Sequence, residues 1–135
     1  MIRPRLWPAV AVLLLLASSA AVTQGVSVKS QELTPFMGTW VFAMTNPQGS
    51  EQTVRIWDKN GSVGASLQVG KFPPNDVTGI VKDGGVLVLT TTVRENGAPI
   101  WAVAALSLDG QTLNMAQMLQ MSQTIKRGTG HKRPD

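Results

Sequence analysis

The sequence predicts an all-β chain: a small eight-stranded antiparallel up-and-down barrel preceded by a signal peptide. Three observations predict it. Turn signals at Asn46-Pro47-Gln48-Gly49, Asp58-Lys59-Asn60-Gly61, Phe72-Pro73-Pro74-Asn75, Asp83-Gly84-Gly85, Glu95-Asn96-Gly97 and Asp109-Gly110 recur roughly every 10–14 residues, near the rhythm of hairpin-linked strands. Several of the runs between them alternate apolar and polar residues with the period of two that a strand imposes. The chain has no cysteine, so outside the cytoplasm no disulfide framework supports it and the core must hold the fold alone.

Residues 1–21 have the anatomy of a secretory signal. Arg3 and Arg5 form a basic start, Ala9 to Ala17 an apolar run containing four consecutive leucines, and Ser18-Ser19-Ala20-Ala21 a small-residue cleavage region. The strongly apolar part is about half of the roughly 20 residues a membrane span needs, so no transmembrane segment is expected after cleavage. Gln24 to Glu32 is polar and small, and residues 22–33 read as a flexible lead-in, 34–127 as the barrel, and 128–135 as a basic disordered tail.

The strands follow in order. Met37 to Thr45 places Gly38, Trp40, Phe42 and Met44 on one face. Glu51 to Asp58 alternates Thr53, Arg55 and Trp57 against Val54 and Ile56, and Asn60-Gly61 tolerates the positive φ angles of a tight hairpin turn. Ser62 to Val69 alternates cleanly, and Pro73 and Pro74 then stop the pairing. Val77 to Lys82, Val86 to Arg94 and Ala98 to Leu108 complete six strands. Gln111 to Ile125 is rich in Leu and Met, and a helix from Thr112 to Gln123 competes with two short strands bent near Leu119-Gln120. Two strands are preferred, because six would leave two free edges on a sheet with much apolar surface.

Charge and residue inventory exclude most chemistry. The chain holds 12 basic and 8 acidic residues, but Arg3 and Arg5 leave with the leader, and Lys126, Arg127, Lys132 and Arg133 lie in the last ten residues. The body is near neutral and lacks the basic, aromatic-studded face of a nucleic-acid binder. His131 is the single histidine and falls in the tail, which removes nucleophile–histidine arrangements and zinc sites of the His/Cys type. Asp58, Asp83 and Asp109 stand at turns, where Asp bonds to local backbone. Asp58-Lys59-Asn60-Gly61 lacks the distal Glu of a calcium loop, and Asn60-Gly61-Ser62 is formally a glycosylation sequon within a hairpin. Met115, Met118 and Met121 have the spacing of a thioether cluster for Cu(I) only if they lie on a helix. Core filling is the ordinary role of such methionines, and no metal or cofactor is expected.

Phe36-Met37-Gly38-Thr39-Trp40, followed by hairpin-linked strands, resembles the opening of lipocalin-like (calycin) barrels, in particular the compact bacterial ones. The resemblance implies that Trp40 packs across the closed end and that a basic residue late in the last strand covers it. The matching positions are Gly38, Trp40 and Arg127, or Lys126 in its place. A guanidinium over an indole face is a favourable cation–π contact.

A barrel of eight strands is just wide enough to pack solid or to hold one small ligand. The function expected first is a non-enzymatic secreted or periplasmic barrel binding a small hydrophobic or amphipathic ligand. Trp40, Phe42, Leu67, Val88, Trp101 and Met115 would line the interior, with threonines and Arg55 available for polar orientation. The alternative is a solid barrel that inhibits an envelope or extracellular hydrolase as a protein partner, with the segment from Val22 to Glu32 entering its cleft.

Overall fold

The computed structural model describes residues 28–95, 97–120 and 122–134. The expected signal peptide, and residues 22–27 of the expected lead-in, lie outside the described residues.

Eight strands close into one antiparallel barrel in simple sequence order: β1 Gly38–Thr45, β2 Gln48–Lys59, β3 Ser62–Val69, β4 Asn75–Asp83, β5 Val86–Glu95, β6 Ala98–Asp109, β7 Thr112–Leu119 and β8 Ile125–Lys132. The fold class is the one the sequence predicts. The β2–β3 turn shows why the punctuation was readable. Asn60 and Gly61 take φ of 54° and 91°, and the Gly61 amide donates to Asp58 Oδ1 at 3.0 Å. A short Asn-Gly link of this hand matches the twist of the two strands it joins.

Gln111 to Ile125 is not helical. β7 and β8 take the place of the competing helix and zip the sheet shut, with β8 paired to both β7 and β1. Two domain boundaries are corrected. The tail expected at residues 128–135 is in strand β8 as far as Lys132, and His131 stands opposite Val41 and Thr112. The reason is steric. A Cβ on Gly130 would come within 2.6 Å of the Phe42 ring, and one on Gly128 within 2.5 Å of Met44 Sδ, so these glycines let β8 lie against β1. At the other end, Lys29 bridges to Ser62, and Ser30–Phe36 forms a kinked 3₁₀ stretch. It buries Leu33 and Phe36 in the core, so the domain begins before residue 34.

One end of the barrel carries the 3₁₀ stretch and the short β2–β3, β4–β5 and β6–β7 turns. The opposite end carries the remaining loops. The core runs along the axis between them. Phe42, Val54, Leu87, Leu106 and Leu113 are each 0% exposed, so they keep no surface for water, whether from outside or from the axis. The lumen around them is packed.

Candidate functional site

The strand period decides which of the expected lining residues reach the axis. Trp40, Phe42, Leu67 and Met115 are buried in the core. Trp40 closes the end of the barrel beneath the 3₁₀ stretch, and its indole N–H donates to the Phe36 carbonyl at 2.9 Å.

Val88 and Trp101 do not line the interior. On β5 the buried positions are Leu87, Leu89, Thr91 and Val93, which puts Val88 on the outside. Both faces of the Val86-Leu87-Val88-Leu89 run are apolar, so alternation in the sequence could not choose between them. On β6 two alanines face in and the tryptophan faces out: Ala102 and Ala104 are buried, whereas Trp101 is 43% exposed. The small residues make room for larger neighbours, since Ala104 stands opposite Gln117 and Ala102 opposite Leu119. Arg55 also faces out, with its guanidinium 4.9 Å from the centre of the Trp57 ring.

Arg127 does not cover Trp40. It is exposed on the outer face, in register with Ala116. The covering cation is Lys132, which pairs with Trp40 across β1–β8 and holds its Nζ 5.9 Å from the ring centre. The sequence reading ended the barrel at residue 127, five residues before the end of β8, and therefore chose the wrong base. Gly128-Thr129-Gly130 was the available signal, because glycine on alternate positions marks close packing against a neighbour.

The lumen also contains something the sequence reading missed. Gln52 on β2 and Gln117 on β7 are buried and exchange hydrogen bonds across the axis, Gln52 Nε2 to Gln117 Oε1 at 2.9 Å and Gln117 Nε2 to Gln52 Oε1 at 2.8 Å. Thr91 on β5 is also buried and donates to the Asp76 carbonyl at 2.6 Å. A buried primary amide must find partners or lose the free energy of its hydration. The two glutamines answer each other's need, and so fix β2 against β7 through the core. Each amide keeps one further N–H beyond this exchange.

The outer face has its own pattern. Val103, Met118 and Ile125 stand side by side across β6, β7 and β8, with Trp101 next along β6. Met118 and Ile125 are each 43% exposed. A neighbouring row, Val81, Val88, Ala105 and Ala116, continues the apolar surface onto β4 and β5. Met115 and Met118 lie on opposite faces of β7 and so do not converge on one metal, and Met121 lies outside the described residues.

No family model matches the chain, and no curated protein matches it. Among solved structures, one similar chain is a secretary abundant heat soluble (SAHS) protein from Ramazzottius varieornatus. It is 11% identical with a TM-score of 0.46, and the match covers 73% of this chain and 96% of that one.

Proposed function

We propose that this is a non-enzymatic barrel, exported from the cytoplasm, that works through its outside by holding a protein partner. The narrower form of the proposal is inhibition of an envelope or extracellular hydrolase. The packed lumen carries the reading, since side chains with no accessible surface leave no volume for a guest. Export is supported by the leader-like residues 1–21. The partner surface is the row Trp101, Val103, Met118 and Ile125. Tryptophan is enriched among residues that dominate binding energy, and methionine adapts its shape to a partner.

Native mass spectrometry of the protein purified from its own host tests this. The expected result is a companion polypeptide that is lost from the Trp101→Ser, Met118→Ser double variant. A co-purifying lipophilic small molecule without a polypeptide would overturn the proposal, as would a companion indifferent to the double substitution.

A second reading, a small amphipathic ligand in the lumen, is favoured by the spare hydrogen-bonding capacity of Gln52 and Gln117. Such a ligand would have to displace core side chains. Titration with fatty and aromatic probes, followed by tryptophan emission, decides it; an unchanged spectrum counts against lumenal binding.

A further inference from the structure

Beneath the barrel, on the Trp40 side, a cleft of about 540 Å³ opens between the 3₁₀ stretch, the β6–β7 turn and the end of β8. Its size falls in the range of roughly 300–1,000 Å³ typical of small-molecule sites. Pro35, Trp40 and Leu108 give it apolar walls, while Gln111, Thr112, His131 and Lys132 add polar groups. Leu108 is partly open to water, although its neighbours on the inner face of β6 are buried.

The charge of this cleft is one-sided. None of the described residues lining it carries a carboxylate, and Asp109, beside Gly110 in the chain, is not among them. Lys132 has Trp40 as its aromatic neighbour at 5.9 Å, the outer limit of a useful cation–π contact. Its stem crosses Gly38 so closely that a Cβ there would come within 2.5 Å of Lys132 Cε. Gly38 has φ of +115°, a conformation that suits glycine, and its missing side chain gives the lysine stem its track over the end of the barrel.

We propose that this cleft binds a small organic anion. The apolar body lies against Pro35 and Leu108, with the Trp40 edge beneath; its carboxylate or equivalent group meets the Lys132 ammonium, and the Gln111 side chain offers a neutral donor. The site is outside the lumen and does not depend on the outer row at Trp101, so it stands or falls separately from the protein-partner reading.

Benzoate and benzamide share a ring and differ in charge, and acetate keeps the charge without the ring. Each is titrated into the full chain while ¹H–¹⁵N spectra follow the Trp40 indole and the Gln111, Thr112 and His131 amides. Benzoate is expected to shift these signals saturably and to bind at least about tenfold more tightly than benzamide or acetate, a difference of about 1.4 kcal/mol. Lys132→Gln should remove the preference for benzoate over benzamide, and Lys132→Arg should keep it. Equal affinity for benzoate and benzamide in the unaltered chain overturns the charge assignment, whether or not any variant folds. Equal affinity for benzoate and acetate overturns the apolar wall. Saturable shifts elsewhere with none at these four residues overturn the site.

Discussion

The β5–β6 wall and the β3–β4 seam are both built from strand-forming sequence, yet they are joined very differently. β5 and β6 pair at ten register positions, from Val86 opposite Ser107 to Glu95 opposite Ala98, whereas β3 and β4 pair at two, Ser66 with Asp76 and Leu67 with Asn75. The connections explain the difference. β5 comes directly back as β6, with Glu95 already opposite Ala98. Gly70 to Pro74 must instead carry the chain round through two prolines, and β4 then shifts register between Val77 and Gly79. Beyond the two pairs, Ser62 to Ala65 of β3 and Ile80 to Asp83 of β4 form no ladder pairs with each other, and Lys29 takes up part of the β3 edge by bridging to Ser62. The ring is closed by its core as much as by its ladder. Val63 and Ile80 both pack against the buried cluster on either side of the seam.

Hydrogen exchange measures this contrast most directly and should show the largest effect. Amides that face the seam, about half of those in Ser62–Ala65 and Ile80–Asp83, should exchange by local opening at little free-energy cost. Those of Leu89 and Ala104 should exchange only with global unfolding, on the order of 5–15 kcal/mol for a domain of this kind. Equal protection on both sides would mean that the seam is laddered in solution.

Core truncation should separate the same two regions. Leu106→Ala removes a fully buried side chain from β6 in the wall, and should cost about 2–5 kcal/mol in denaturant unfolding. Ile80→Ala, half-buried beside the seam, should cost below about 2 kcal/mol. Comparable losses would show that the seam carries as much packing as the wall.

The glutamine pair ties β2, which borders the seam strand β3, to β7, which borders the wall strand β6. Gln52→Leu leaves Gln117 buried without its partner, a loss of about 1–3 kcal/mol. Replacing both by Leu should recover most of that loss, because no polar group is then stranded. A double variant as unstable as the single one would mean that the pair's shape, and not its hydrogen bonds, is what the core needs.

Much of the wall was legible in the sequence, and much of the site was not. Asn60-Gly61, Asp83-Gly84-Gly85 and Asp109-Gly110 dictate their turns by local chemistry, so the strand count could be read residue by residue. Pro73 and Pro74 correctly announced a break in pairing. Which face points inward is set by long-range register, and in Val86 to Leu89 and Ile100 to Leu106 apolar residues occupy both faces. Val88 and Trp101 were therefore placed on the wrong side. The Gln52–Gln117 exchange links residues 65 apart in sequence and leaves no local trace. The end of β8 was hidden because Gly128, Gly130 and the basic residues look like a solvated tail until Phe42 and Met44 are seen lying against the glycines.

That hidden strand end gives the smallest predicted effect. Both Lys132 and Arg127 belong to β8, but only Lys132 lies over the indole. An ammonium near the limit of the contact distance contributes about 0.5–1 kcal/mol, and its methylene stem shields the end of the barrel as well. Lys132→Ala should therefore lower stability by about 1 kcal/mol and alter the Trp40 indole resonance. Arg127→Ala, on the outer face, should stay within about 0.5 kcal/mol of the unaltered chain and leave that resonance in place. The reverse ranking would restore Arg127 as the residue that closes the barrel and would place the end of β8 in a different register against β1.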